Sequence, residues 1–175
     1  MSTTPTSQAQ SSPTPSNLPP LSDVHLDIVR MDTVQPDRVR WLWPQRFPMG
    51  KLSLIAGVQG KGKSFLSLDM AARITSGVDW PDSTGWTTTP ANTILLSLED
   101  DAADTIRPRL DNLGADPSRV LLVRGTRYAS SNLDPQGNRL TFVDQFDLSQ
   151  DIASLRNLVQ NCPDTKLIII DPING

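Results

Sequence analysis

The residues between Gly57 and Ser64 have the types and spacing of a loop that binds phosphate. Gly57, Gly62, Lys63 and Ser64 match Gly-x-x-x-x-Gly-Lys-[Ser/Thr] without a gap, and Gly60 adds a third glycine. Glycines let backbone amides turn inward and let a phosphate approach without a Cβ in the way. A helix starting near Lys63 would add unpaired amides, the lysine would reach the terminal phosphates, and the serine hydroxyl would be a ligand for Mg²⁺. The alternative is a flexible glycine-lysine turn.

Two carboxylates follow apolar runs and could complete a site for phosphate chemistry. Asp171 ends "KLIIID", where it would reach the carboxyl edge of a sheet and hold Mg²⁺ through water. Glu99 ends "LLSLE", where it could orient and deprotonate an attacking water. The alternatives are that Asp171 merely caps a strand and that Glu99, with Asp100 and Asp101, enriches a helix start in negative charge. We predict Glu99 as the base and the two aspartates as helix-start residues.

The elements that must position these residues are short apolar strands alternating with helices. Near-continuous apolar strands are typical of parallel sheets covered on both faces. The four strand candidates are "KLSLIAG", "NTILLSLE", "RVLLVRG" and "KLIIID". The phosphate loop would lie between the first strand and the first helix, which is the context that such a loop requires.

Three segments have the pattern of helices. "KSFLSLDMAARITSG" has apolar residues at helical spacing and ends at Gly77, a stop signal. "DDAADTIRPRLDNLGAD" should be kinked or divided at Pro108 and end at Gly114. "DLSQDIASLRNLVQN" should be capped by Asp147 or Ser149, with one apolar face formed by Leu148, Ile152, Leu155 and Val159. The region 126–142 reads as a long loop.

Composition divides the chain into three parts. Residues 1–22 are almost devoid of apolar side chains and are expected to be a disordered tail. Residues 23–50, with Trp41 and Trp43, are predicted to be an extended lead-in that packs on the core at 51–175. Trp80 and Trp86 are expected to cover the end of the first helix rather than line the site.

Charge and hydropathy exclude several classes of protein. A net charge of -3 provides no overall attraction to nucleic acid. The apolar runs are far shorter than the roughly 20 residues of a membrane helix, and no signal peptide is evident. A single cysteine, Cys162, and a single histidine, His25, provide neither an internal disulfide nor a Cys/His metal cluster. We expect a cytoplasmic protein without a membrane partner.

Three motifs together resemble a known family. "WLWPQRFPMGKLSLIAGVQGKGKS", "LSLEDDAADTIRPRL" and "KLIIIDPING" are similar to RecA-like AAA ATPases of the plasmid RepA helicase type, over about Val39 to Gly175. The resemblance implies an α/β P-loop NTPase fold, a RecA-like parallel sheet flanked by helices. It implies ATP and Mg²⁺ as cofactors, Lys63 and Glu99 as catalytic residues, and Ser64 and Asp171 as metal ligands. Nucleotide contacts are predicted from Gly57, Gly60, Lys61, Gly62, Lys63, Ser64 and Phe65.

The resemblance also implies partners and further elements. It implies single-stranded DNA as a partner and a homo-oligomeric ring, in plasmid, phage or mobile-element replication. Lys61 departs from the small or apolar residue often found there, and we expect it to face solvent. In RecA-like sheets the strand after the Asp171 strand lies between it and the phosphate-loop strand. Since the sequence ends at Gly175, we expect a fragment with missing C-terminal strands and an open edge.

Other functions share part of this pattern. A regulator or loader could bind ATP without translocating, and a truncated chain could be inactive. A small-molecule kinase would need an arginine-rich lid, and none is evident in the sequence. A GTPase would need Asp-x-x-Gly and Asn-Lys-x-Asp, whereas "DPING" has one residue too many. We therefore favour ATP hydrolysis by a motor module.

Overall fold

The computed structural model describes residues 26–83, 85, 89–133 and 135–172. The predicted disordered tail and Trp86 lie outside these residues. The chain divides into two units between Arg38 and Val39. In the first unit, the described residues 26–38 are exposed and contain one 3₁₀ turn, Met31–Thr33. The second unit contains every helix and strand described below.

A three-stranded parallel sheet forms the centre of the second unit. Its strands are β3 (Asn92–Ser97), β4 (Val120–Val123) and β7 (Thr165–Asp171), in the spatial order β4-β3-β7. In register, Thr93 lies beside Val120 and Ser97 lies beside Asp171. Three of the four predicted strands are therefore confirmed. Their carboxyl ends meet at one edge, because all three strands run in the same direction.

The predicted strand "KLSLIAG" is wrong: residues 52–58 have no strand partner. The side chains of Leu52 and Leu54 are 95% and 76% exposed. A strand needs a neighbour that bonds its backbone groups, and within the described residues β7 pairs with β3 alone. Within the described residues, the edge of β7 opposite β3 is therefore unpaired.

Helices cover the sheet on both faces. Helix α1 (Lys63–Ser76) and helix α2 (Arg107–Asn112) pack on one face, where Leu68 and Leu110 meet Leu95 and Ile169. Helix α3 (Leu148–Asn161) packs on the other face, where Leu155 meets Ile94 and Leu96 of the central strand. Both faces of β3 are thus buried, as its continuous apolar sequence predicts.

The helix boundaries largely follow the predicted signals. Gly77 caps α1 with a left-handed φ of 68°, which glycine adopts without strain. The second helical segment is divided, as predicted around Pro108, into a π-helical turn at Ala102–Ile106 and then α2. In α3 the predicted cap is confirmed, because the carboxylate of Asp147 accepts a hydrogen bond from the Ser149 amide at 2.8 Å.

The predicted apolar face of α3 is wrong in part. Leu148 and Ile152 are exposed, whereas Asp151 and Leu155 are the buried residues of the helix. Asp151 is buried because it accepts hydrogen bonds from the Asp147 amide at 2.9 Å and from the Tyr128 hydroxyl at 3.1 Å. The helix cap and a hydroxyl from the preceding hairpin thus favour burial of this polar face of α3.

The predicted loop at 126–142 is also wrong, because these residues form a β-hairpin. Strands β5 (Thr126–Leu133) and β6 (Arg139–Asp144) pair antiparallel, with Tyr128 opposite Phe142. The segment is rich in polar residues, and its strands are defined by their pairing with each other rather than by apolar runs. Cross-strand pairs of large side chains stabilise such hairpins.

The tryptophan-rich lead-in packs on the core from Trp41 onward. It forms two short antiparallel strands, β1 (Trp41–Trp43) and β2 (Phe47–Pro48). The rings of Trp43 and Trp80 stack with centroids 4.7 Å apart, and the Trp80 indole N–H donates to the Leu42 carbonyl at 2.8 Å. Trp80 is 1% exposed, so it belongs to the core. Among the described helices, none is long and apolar enough to cross a membrane.

Candidate functional site

The glycine-rich loop leads directly into α1. Gly62 precedes the helix with a φ of 83°, and no side chain caps the amides of the first turn. Gly60 also has a positive φ, 75°, and a Cβ at either glycine would meet nothing within 4 Å. The first turn of α1 therefore presents amide donors that its own cap leaves without a side-chain acceptor. Such a helix start attracts anions through these amides and the helix dipole.

Lys63 reaches back across the loop. Its Nζ donates to the carbonyl oxygens of Gly57 at 3.0 Å and Val58 at 3.2 Å. The two bonds bring the ammonium group over the loop, on the side of the first glycine. Lys61, in contrast, is exposed, as expected from the sequence, and Phe65 is exposed too. Ser64 is half-buried in the first turn of α1.

The direction of α1 brings its first turn to the carboxyl edge of the sheet. Near its other end, the Ile74 carbonyl accepts a hydrogen bond from the amide of Ala91, the residue just before β3. Fourteen helical residues rise about 21 Å, and the six residues of β3 span about 20 Å. Lys63 lies 11 residues before Ile74, about 17 Å along the helix axis and thus most of the length of β3. Since α1 packs along the sheet, Lys63 and Ser64 lie toward the carboxyl edge.

Both predicted carboxylates follow strands at that same edge. Asp171 is the last residue of β7 and lies in register with Ser97, the last residue of β3. Glu99 comes two residues after Ser97 in an exposed turn. Glu99 is also the only glutamate in the chain. The sheet thus brings Asp171 to one strand end and Glu99 to the turn that leaves the adjacent strand.

The two aspartates that follow Glu99 hold the turn that carries it. The Asp100 carboxylate accepts a hydrogen bond from Arg109 of α2 at 3.0 Å. Asp101 caps the π-helical turn by accepting the amides of Ala103 and Asp104 at 2.7 and 3.1 Å. These two amides hold the pKa of Asp101 below its ordinary value. The prediction that Asp101 starts a helical segment is therefore confirmed, while Asp100 binds an arginine.

Two arginines near this edge were missed by the sequence reasoning. Arg109 lies nine positions after Asp100, and no local motif indicates that pairing. Arg124 directly follows the last residue of β4, so its position after an apolar run was the available signal. A shallow depression of about 230 Å³ lies beside the acidic turn and is lined in part by Ser97, Asp101 and Arg124.

Comparison with known protein families identifies this arrangement. A family model described as an AAA domain matches residues 12–174. The chain belongs to the AAA domain family. Comparison with curated proteins and with solved structures found no match. An AAA domain indicates nucleotide binding and ATPase activity, and the parallel sheet with flanking helices is consistent with a P-loop fold.

The residues of this AAA domain fit a nucleotide carrying Mg²⁺. The uncapped amides of α1 and the open space at Gly60 and Gly62 suit a phosphate chain. Within the described part of the chain, no group of three or more His, Cys, Asp or Glu side chains could hold a metal by itself. Mg²⁺ that arrives with phosphates needs only one or two protein ligands. The Ser64 hydroxyl and the Asp171 carboxylate have the right chemistry for that role.

Proposed function

We propose that this AAA domain binds ATP at the 57–64 loop and hydrolyses it as a RecA-like motor ATPase of the plasmid RepA helicase type. One observation carries the proposal. The first turn of α1, the end of β7 at Asp171 and the turn at Glu99 all lie toward one edge of one parallel sheet. Ligands of open α/β sheets bind at that edge.

Each predicted residue has a distinct part in this reaction. The amides around Gly57, Gly60 and Gly62 bind the phosphate oxygens, and Lys63 exchanges its two loop carbonyls for the terminal phosphates. Ser64 and Asp171 would hold Mg²⁺, which neutralises charge on the phosphates when it is bound. Lys61 directly precedes Gly62, and Phe65 lies in the first turn of α1. Both side chains are exposed and thus accessible to a nucleotide.

Glu99 is the proposed general base. Its carboxylate takes a proton from a water molecule, whose oxygen bonds to the γ-phosphorus as the bond to the bridging oxygen of ADP breaks. The products are ADP and inorganic phosphate. Because Arg109 binds Asp100 and Asp101 caps the next turn, the backbone just after Glu99 is held while the Glu99 side chain stays accessible.

The proposed macromolecular partners rest on the resemblance to RepA helicases. These are single-stranded DNA and further copies of the chain in a ring. An ATP-binding regulator or loader without translocation is the alternative that the experiment separates.

The decisive experiment measures phosphate release from MgATP by the chain and by Glu99→Gln, with and without single-stranded DNA. Asp104→Asn, in the neighbouring π-helical turn, is the matched control. We expect Glu99→Gln to retain MgATP binding and to lose hydrolysis by about 10²- to 10⁴-fold, the usual contribution of a general base. Binding without hydrolysis in the unmodified chain would favour the regulator, and the absence of binding would refute the proposal. Hydrolysis that DNA does not alter would refute the motor role alone.

A further inference from the structure

A second cavity lies away from the nucleotide loop, where β4, the base of the β5–β6 hairpin and α3 meet. Its volume is about 670 Å³, within the roughly 300–1,000 Å³ that is common for small-molecule sites. None of the residues assigned to the nucleotide or to Mg²⁺ lines it. It is therefore a separate feature of the fold.

One wall of this cavity is apolar. Leu155 of α3 is buried against Ile94 and Leu96, and Leu158 and Phe146 beside it are half-buried. Val143 of β6 also lines the cavity, yet it is 61% exposed. A ligand that covered this wall would remove apolar surface from water, at about 25 cal/mol per Å².

Two arginines provide the polar side of the cavity. Arg124 and Arg127 both line it, and neither forms an ion pair with another described residue. By comparison, Arg107 pairs with Asp111 at 2.8 Å. Arg124 contributes to lowering the pKa of Asp101 but does not pair with it. The guanidinium groups are thus available to an anion, and Arg is suited to bidentate binding of carboxylate or phosphate.

The walls of the cavity are held by contacts between segments far apart in sequence. Strand register places Arg127 opposite Val143. A Cβ at Gly125 would lie 2.2 Å from the Asp144 carbonyl oxygen, so only glycine permits this close approach of the hairpin strands. The Tyr128 hydroxyl donates to Asp151 of α3 at 3.1 Å. These contacts form the cavity before any ligand arrives.

We propose that this cavity binds a small amphipathic anion, with an apolar body against Val143, Leu155 and Leu158 and a carboxylate or phosphate head on Arg124 and Arg127. Charge complementarity and the apolar wall select this class of ligand over a neutral or cationic one. The site shares no residue with the nucleotide loop, and Arg124 is the one head-group residue that also lines the depression beside the Glu99 turn.

The test is an NMR titration of the full chain with methyl-labelled valine and leucine, using octanoate as the probe. We expect saturable shifts of the Val143, Leu155 and Leu158 methyl signals and none at Leu68 or Leu110, which pack on the opposite face of the sheet. Octyl phosphate distinguishes a phosphate head from a carboxylate head, and octanol measures the apolar contribution alone. Binding of octanol as tight as that of octanoate, or no saturable shift with either anion, would overturn the proposal.

Matched variants test whether Arg124 and Arg127 bind the anionic head group. Arg124→Gln and Arg127→Gln should each weaken octanoate binding roughly fivefold, the value of an exposed charge pair. Arg139→Gln on the same hairpin lies outside the cavity lining and should leave binding unchanged. Equal affinity in all three variants would show that the arginines do not bind the head group and would overturn the proposed site. Arg127→Gln, which lies outside the depression beside the Glu99 turn, should also leave the affinity for MgATP unchanged.

Discussion

Replacement of Lys63 by alanine should abolish most of the affinity of the chain for MgATP, whereas replacement of Lys61 should not. The two lysines differ by two positions in the same loop and carry the same charge. Lys63 is half-buried and bonds across the loop to Gly57 and Val58, whereas Lys61 is exposed and forms no hydrogen bond or ion pair with a described residue. A difference between the variants therefore reports geometry rather than net charge.

The expected loss of MgATP affinity in Lys63→Ala follows from the contacts of the lysine. Its ammonium already has two acceptors, at 3.0 and 3.2 Å, so nucleotide binding exchanges these bonds rather than creating all of its contacts anew. The net gain is then close to one hydrogen bond to a charged partner, about 1.5–3 kcal/mol. That corresponds to a loss of about 10- to 150-fold in affinity for Lys63→Ala. Lys61→Ala removes a surface charge and should cost no more than about fivefold.

Isothermal titration calorimetry of MgATP into the unmodified chain and both variants measures these affinities. Circular dichroism and thermal unfolding of each protein test whether the variants are folded. We expect both to be folded, because the solvent-exposed hydrogen bonds of Lys63 contribute little to stability. Equal affinity of Lys63→Ala and the unmodified chain would refute the phosphate-loop interpretation. An equal loss of MgATP affinity in both variants would show that only the positive charge of the loop matters, and not the position of Lys63.

Further predictions follow from the core, from a buried carboxylate and from the base of the hairpin. Trp80→Ala should lower the free energy of unfolding by about 3–5 kcal/mol, measured by urea denaturation, because Trp80 is 1% exposed and stacks on Trp43; a loss below about 1 kcal/mol would contradict its place in the core. The Asp147 amide and the Thr126 hydroxyl hold the pKa of Asp151 below its ordinary value of 3.8. The ionised carboxylate therefore stabilises the fold fully above pH 3.8, and this stabilisation is lost as the pH falls through the pKa of the folded state. Asp151→Asn should therefore lower the melting temperature at neutral pH, with a difference that shrinks below pH 3.8, and a constant difference would refute this. Gly125→Ala should separate the hairpin strands and lower stability by about 1–3 kcal/mol, and a neutral result would show that the strands shift freely.

Local signals predicted several boundaries of the helices and the central strands. The glycine before α1 and the glycine after it mark its limits, Asp147 marks the start of α3, and three apolar runs mark the central strands. These features depend on residues that are adjacent along the chain. Backbone preferences and apolar periodicity act within such segments, which is why they can be read without the fold.

Each wrong prediction concerns a segment whose conformation depends on residues outside that segment. The segment 52–58 has the apolar pattern of a strand but no neighbour among the described residues, and an isolated strand has no partner for its backbone groups. The β5–β6 hairpin is the opposite case. Its sequence is polar, and its strands are stabilised by pairing with each other. The rotation of α3 depends on the hydroxyl that Tyr128 donates to Asp151, 23 residues away.

The sequence by itself determined the chemical groups of this protein and the short elements that carry them: a glycine-rich loop, a lysine and a serine at a helix start, and carboxylates after apolar runs. The tertiary structure alone decided which groups meet. It placed Asp171 beside Ser97, joined Arg109 to Asp100, and formed the arginine-lined cavity between the hairpin and α3. Side-chain types and local conformation are properties of contiguous residues, whereas strand register and ion pairs depend on packing free energies summed over the whole domain.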